Sequence, residues 1–513
     1  MGAGIAELGA LGGIETLLYD SKHDALDAGL SRIDSNLADA VARGSLSRDE
    51  AAEARARLRR VTSAETFADC QIVIEAVPED LDTKIAVLRA LPPDSVLATN
   101  TSSLSVASIA ACVQRPERIV GMHFFNPPGR MPLVELIAGP DTSAVAVGLA
   151  RATALAMGRT PITAQDSVGF VVNRCARPFY AEALALLEDG LATPSEIDRI
   201  CRLGGPFRMG PFELMDLVGL DTGLAVARSF TEASFGEPRW RPSRELARMV
   251  DAGRLGRKSG RGWYDYANNR YRPDDEAAPT GNGGSGRQLA VLGGGVEAHS
   301  MRARAIAHGF VVTPTASPGD APAAILDFRA ASERSRPAQA VPIAVTCGRA
   351  SLAASGQPEA IGFHVLPPVE EAMLIELTRL PGCAPEHASA IEEIASAMGL
   401  ATTWVEDSPG LVLGRIVCQL VNEACFAATE RVATPADIDL ALRLGLNHPH
   451  GPIAWGERIG WASVLARIDG LWDDRHDPRY RAAPLLRRAV ATGRSVRELA
   501  DARPRSTDGS VHG

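Results

Sequence analysis

An α/β sheet domain followed by an all-helical domain, the pair built twice in one chain, is the fold class the sequence predicts. Three observations carry this. Blocks of sequence recur in constant register, Gly121 and His123 as Gly362 and His364, Glu135-Leu136 as Glu376-Leu377, and Asp166-Ser167 with Gly169 as Asp407-Ser408 with Gly410. Thr193-Pro194, Arg202-Leu203-Gly204 and Gly210-Pro211 return at the same offset of 241 residues. A register held over about a hundred residues marks internal duplication, with a period far too long for a solenoid. Short apolar runs alternate with helical stretches up to Asp166, as in a sheet covered by helices, and the pattern beyond is helical only.

Gly2–Ala10 reads as a helix running into the strand Thr16–Tyr19. Residues 24–42, 48–60, 82–90 and 105–111 have helical periodicity, and Ile72–Ile74 and Val96–Ala98 are short strands. In 121–136, apolar residues alternate on both sides of Pro127-Pro128-Gly129-Arg130, so the segment predicts two antiparallel strands and a tight turn. Phe170–Leu187 is one long amphipathic stretch, and a Thr-Pro-Ser cap signal starts the helix Ser195–Arg202. Asn268–Arg287 is polar and glycine-rich, a linker that cannot pack a core. Leu289–Gly295 is a strand entering a glycine turn, and its histidine follows so soon that a much reduced second sheet domain is expected. The predicted limits are 1–166 and 167–267 for the first copy, 268–287 for the linker, and 288–406 and 407–502 for the second copy. An unstructured tail occupies 503–513.

A chain of 513 residues exceeds one ordinary core. Its net charge of -9 argues against nucleic-acid binding, which needs a basic face. The arginines of 43–60 alternate with Glu50 and Glu53 at helical spacing, which suits a solvated helix face. Eight scattered cysteines form neither a C-x-x-C pair nor a cluster at metal-ligand spacing, so disulfides and a metal are not expected. No apolar run long enough to span a membrane and no secretory signal occur. Ala6 stands where a myristoylation motif needs Ser or Thr. A cytoplasmic protein is expected.

His123 and Glu135 lie symmetrically about Gly129, so the hairpin would set them opposite each other. An imidazole oriented by a carboxylate is a general base with a fixed tautomer. A buried histidine satisfied by a convenient glutamate has the same spacing, and ion pairs across hairpins are common. Asp20 ends the strand after the first helix, where an acidic residue binds adenosine ribose hydroxyls and repels a 2′-phosphate, which favours NAD. An Asp ending a strand is also an ordinary turn former. The G-x-G-x-x-G turn of such a Rossmann-type domain is incomplete, with Gly2 as its last glycine, and the strand before it is missing. The expectation is that the record begins roughly a dozen residues late, with Met1 internal to the glycine loop.

Together these segments resemble the L-3-hydroxyacyl-CoA dehydrogenase family. The matching blocks are the helix and strand ending in Asp20, then 100–104 (NTSSL), 123–127 (HFFNP), 169–174 (GFVVNR) with 209–213 (MGPFE), and 256–264 (GRKSGRGWY). They cover essentially all of 2–266. The resemblance implies NAD-dependent oxidation of an (S)-3-hydroxyacyl-CoA to the 3-oxoacyl-CoA. His123 would take the hydroxyl proton, Glu135 would orient it, and Ser102 and Asn173 would bind the reacting oxygen and thioester region. Gly2, Asp20, Glu79, Lys84, Asn100, Ser102, Asn126 and Lys258 would hold the cofactor. Read from sequence alone, Ser102 could equally cap the helix near Ser105, and Lys84 and Lys258 could be surface lysines. The helical region 31–60 is similar to the family's CoA-binding excursion, where Arg43 or Arg48 could meet the 3′-phosphate.

The doubled layout is similar to that of the family's long bacterial members of phenylacetate breakdown, which implies 3-hydroxyadipyl-CoA, with 3-hydroxybutyryl-CoA the other candidate. The second copy keeps His364 and Glu376 but has Gly414 where Asn173 stands, 346–352 (TCGRASL) for the NTSSL block, and Gly293–Gly295 without an acidic partner. It is expected to be a relic whose helices pack on 167–266 as an intramolecular pseudo-dimer, with a further homo-oligomer left open. Two rivals remain at this stage, a dehydrogenase of a free hydroxy acid and a non-catalytic acyl-CoA-binding or assembly protein.

Overall fold

The apolar runs form strands in the computed structural model, which describes residues 1–502 apart from Pro93, 269–270, Pro273, 276–278, 316–321 and 335–340. The expected tail 503–513 and part of the linker 268–287 lie outside the described residues. The chain divides into two units, Met1–Arg174 with Glu430–Leu446, and Cys175–Thr429 with Asn447–Gly513. This grouping cuts across the expected limits 167–267 and 407–502.

The first unit holds β1 (Thr16–Leu18), β2 (Leu58–Arg60), β3 (Ile72–Glu75), β4 (Val96–Thr99), β5 (Ile119–Phe124), β6 (Leu133–Ala138) and β7 (Thr160–Gln165). β3 to β7 make one sheet in sequence order, parallel except for the antiparallel pair β5–β6. β1 and β2 pair separately in parallel, which corrects the helical reading of 48–60: that helix ends at Arg57. The helix Gly2–Leu11 has two apolar faces. Ile5 and Leu8 pack with Val96, Val120 and Leu136 of the sheet, while Ala6 and Ala10 pack with Ile33, Leu37 and Leu58. Each such fully buried large aliphatic contributes about 1.5–3 kcal/mol.

The second unit contains β8 (Gln288–Leu292), β9 (Val311–Thr313), β10 (Ala324–Asp327), β11 (Ile343–Thr346), β12 (Ile361–His364), β13 (Leu374–Thr378) and β14 (Ala401–Trp404). All seven join one sheet in the order β14-β13-β12-β11-β10-β8-β9. The expected reduction spares this seven-stranded sheet and falls on one connection: among the described residues nothing between β9 and β10 answers to β2 or to the helices on either side of it in the first copy. Where helices His23–Ala42 and Arg48–Arg57 intervene between β1 and β3, residues 314–323 alone join β9 to β10. β8 pairs with both β9 and β10; among the described residues no strand stands in the corresponding place between β1 and β3.

Each unit borrows a helix from the other half of the sequence. Pro435–Leu446 packs on β6 and β7 in the first unit, where a Cβ on Gly445 would meet Val172 at 3.0 Å and Leu133 at 3.1 Å. Pro194–Gly204 packs on β13 in the second, where a Cβ on Gly204 would meet Leu413 at 3.0 Å. Gly204 and Gly445 are repeat equivalents, so the borrowing is reciprocal.

The expected long helix over 170–187 is interrupted after Cys175 and resumes as Arg177–Glu188. Within the second unit that helix packs against Leu413–Thr429. The ion pairs there are also reciprocal: Arg239 with Glu423 and Arg479 with Glu182, Arg241 with Asp477 and Arg481 with Glu237. Arg415, fully buried, reaches Glu182 (3.2 Å), Asp189 (3.3 Å) and the Tyr480 hydroxyl (2.8 Å). The described part of the linker is bound rather than free. Tyr271 and Arg272 bond Glu213 at 2.8 and 2.6 Å, and Asp275 pairs with Arg202 at 2.7 Å.

Candidate active site

The hairpin β5–β6 sets His123 directly opposite Glu135. His123 Nδ1 lies 2.7 Å from Glu135 Oε2, and the carboxylate is fully buried. Its other oxygen accepts the backbone N–H groups of Val171 and Val172 at 3.0 and 2.9 Å. Those amides converge because Gly169 and Phe170 both take positive φ, 70° and 50°. A non-glycine residue in that region costs about 1–3 kcal/mol, which the anchored carboxylate offsets. With Nδ1–H given to Glu135, Nε2 is the basic nitrogen of neutral His123. The ring lies against Phe125 and Phe170, with centroids 4.5 and 5.9 Å away, and so is held in an apolar wall.

Asn173 continues the same turn and its amide lies 3.5 Å from the Ser102 carbonyl. Ser102 is not the cap of the next helix: Ser105 is, through its own hydroxyl to Ser108 N–H. The Ser102 amide and hydroxyl instead face Glu79 Oε1 at 2.8 and 3.3 Å. Thr101 Oγ1–H and the Ser103 N–H donate to the same oxygen, at 2.7 and 2.9 Å. Burial would raise the Glu79 pKa, but these donors and the Lys84 ammonium outweigh it and hold the carboxyl at about 2.

A carboxyl held so far below its ordinary 4.5 contributes stability above that value, lost as pH falls from 4.5 toward 2. Urea midpoints across that window are expected to fall more steeply for the wild type than for Glu79→Gln.

The remaining expected cofactor residues are placed unevenly. Asp20 is exposed just beyond β1, with one oxygen accepting the Lys22 N–H. Gly2 opens its helix, yet a Cβ there would meet only Ala76 at 3.9 Å; the close approaches fall on Gly9 and Gly12, where a Cβ would lie 2.7 Å from Thr16 Oγ1 and closer still to the Ala156 carbonyl. The Asn100 side-chain oxygen accepts the Phe124 N–H at 2.8 Å, bracing the strand beside His123. Asn126 begins the turn of the hairpin. Lys84 is fully buried, which corrects the surface reading; its ammonium meets Glu75 at 2.9 Å and Glu79 at 3.4 Å. Lys258 belongs to the second unit, paired with Asp221. Arg43 and Arg48 are exposed at the turn between helices His23–Ala42 and Arg48–Arg57. The chemistry suits a dinucleotide: a carboxylate with a spare oxygen after β1, and a ten-residue helix whose first amides lack a side-chain cap.

The second copy repeats the frame and closes it. His364 Nδ1 lies 3.2 Å from Glu376, which accepts the Val412 N–H at 2.7 Å. Arg467, 103 residues away, puts its Nε 3.3 Å from His364 Nε2 and pairs with Glu297. A Cβ on Gly414 would meet that ring at 2.7 Å, so an asparagine has no room there. Nothing at the sequence level pointed to Arg467 or Glu297, or to Glu75 at the end of β3.

Two family models match the chain. The NAD binding domain of 3-hydroxyacyl-CoA dehydrogenase matches residues 1–167, and the C-terminal domain of 3-hydroxyacyl-CoA dehydrogenase matches twice, over 169–266 and 410–501. A 3-hydroxyadipyl-CoA dehydrogenase of Escherichia coli K12 is 34% identical over 494 residues, 95% of this chain and 94% of that one. A probable 3-hydroxybutyryl-CoA dehydrogenase of Bacillus subtilis is 39% identical over 273 residues, 52% of this chain and 94% of its own. The crystal structure of an Escherichia coli 3-hydroxybutyryl-CoA dehydrogenase superposes with a TM-score of 0.81 at 31% identity, covering 96% of each chain.

Proposed function

We infer the site's workings from one premise: the chain belongs to the 3-hydroxyacyl-CoA dehydrogenase family. It is an oxidoreductase that oxidises a 3-hydroxyacyl-CoA with NAD. His123 takes the proton of the substrate 3-hydroxyl on Nε2, and Glu135 fixes the tautomer and stabilises the imidazolium. Bound NAD supplies the acceptor for the C3 hydrogen with its electron pair. Ser102 and Asn173 hold the oxygen and thioester, with Asp20, Glu79, Asn100 and Asn126 on the cofactor side. The observation that carries this is the buried Glu135, bonded at once to His123 and to the turn before Asn173.

For the substrate we favour 3-hydroxyadipyl-CoA and a place in phenylacetate breakdown, because the relative so named matches along almost the whole chain. NADH formation with 3-hydroxyadipyl-CoA and 3-hydroxybutyryl-CoA, run side by side, tests it. A faster rate with the second would overturn the preference, and no turnover with either, in folded protein, would promote a binding role. Eight scattered cysteines without a C-x-x-C pair suit a reducing cytoplasm.

Two finer readings follow from the fold. The paired C-terminal matches and the paired hairpins support a duplication. The reciprocal ion pairs support an intramolecular pseudo-dimer. Residues 1–270 alone should then aggregate or self-associate, and a soluble monomer of full stability would refute the pseudo-dimer.

The second copy is a structural partner without its own chemistry, since Arg467 occupies the nitrogen that a base needs free. Arg467→Ala should leave kcat within about twofold of wild type, as expected for a site uncoupled from the reaction. Calorimetry should count one NAD per chain.

A further inference from the structure

Between β3, β4 and the helix Leu81–Ala90 lies a buried ionic chain that the reaction described above does not use. Glu75 is 3% exposed and Lys84 is not exposed at all. Glu75 receives the Lys84 ammonium at 2.9 and 3.2 Å, the Thr99 hydroxyl at 2.7 Å and the Val77 N–H at 2.7 Å. Lys84 then reaches Glu79, and Glu79 accepts the amides of Ser102 and Ser103 and the hydroxyls of 101–103. Desolvating two charges is costly, and an apolar pair of similar volume is often as stable or more so. A buried pair kept for packing alone also gives no reason for its open end to be the loop that carries Ser102.

The two copies make an internal comparison. β10 ends in Asp327 where β3 ends in Glu75, but Asp327 pairs with Arg329 two residues on. Four residues beyond Asp327 stands Ala331, where Glu79 stands four beyond Glu75. After β11 the Gly348 N–H turns back to Thr346 instead of a carboxylate. Among the described residues the clasp has no counterpart in the copy whose histidine is capped by Arg467.

We propose that Glu75 and Lys84 are positioning residues for the dehydrogenation, fixing Glu79 so that Glu79 fixes the backbone of Ser102. The proposal rests on the reading of Ser102 as a ligand of the reacting oxygen. Lys84 is an internal counter-ion: it neutralises Glu75 on one side and restrains Glu79 on the other, so that Glu79 remains available to the loop.

The test uses the full chain with Glu75→Gln, Lys84→Met and the pair E75Q/K84M. Each single variant should lower kcat roughly 10- to 100-fold, the loss expected when a reacting group is displaced by a fraction of an ångström, with KM for the acyl-CoA little changed. The double variant removes both buried charges, so its thermal midpoint should return toward wild type while kcat stays low. Recovery of kcat together with the midpoint would show a merely structural pair and overturn the proposal. Amide hydrogen exchange at Ser102 and Ser103 gives a readout independent of turnover. It should quicken at least about tenfold in the double variant, and unchanged exchange would overturn the proposal even if the wild type proved inactive. A wild-type chain without turnover would instead refute the reaction reading.

Discussion

His123→Gln is expected to lower kcat about 1,000-fold, within the range that a positioned general base contributes. Glutamine can keep a contact with Glu135 but has no basic nitrogen to receive the hydroxyl proton. NAD binding, followed by fluorescence titration, should stay near wild type, because the imidazole is assigned to the substrate proton and not to the cofactor. Glu135→Gln should cost less, since the imidazole remains and loses only its orientation and the charge that stabilises its protonated form. A kcat for His123→Gln within tenfold of wild type would remove the base from the mechanism.

Arg415→Ala should be the most destabilising single change in the helical region, by about 3–5 kcal/mol. Its guanidinium is fully buried, and its loss leaves Glu182, itself 2% exposed at the side chain, without its main cation. Arg479 lies 3.7 Å from the other oxygen of Glu182 and compensates only in part. Urea unfolding is the measurement. A companion Glu182→Gln in the Arg415→Ala background should recover part of the loss, because it removes the stranded charge. A shift below about 1 kcal/mol would mean that water reaches the site.

Features set by local pattern were legible in the sequence. The hairpin register followed from alternating apolar residues about Gly129, and it put His123 opposite Glu135 as observed. The short parallel strands β1, β3 and β4 also announced themselves by their apolar runs. Features set by distant partners were not. Leu58–Arg60 carries two arginines after a helix and is a strand only because β1 pairs with it. Glu75 follows the apolar run Ile72–Ile74 with no local signal of its role, and only the helix carrying Lys84 gives it a partner. Chain length pointed to a shorter second sheet domain but not to where the length is missing, the connection between β9 and β10. Arg467 sits on an amphipathic helix where an arginine would ordinarily face water.

The exchange of Pro194–Gly204 and Pro435–Leu446 has a consequence for how this molecule behaves on dilution. Two separate subunits that trade helices fall apart below their dissociation constant, and each substitution in them is suffered twice. In the proposed pseudo-dimer the partner is tethered, so its effective concentration is set by the connecting chain and not by the number of molecules in the cell. One half can then carry Arg467 and Gly414 beside its histidine without a matching residue being forced on the other. Specific activity should accordingly be flat from micromolar to picomolar chain, where a pair of separate subunits would lose it.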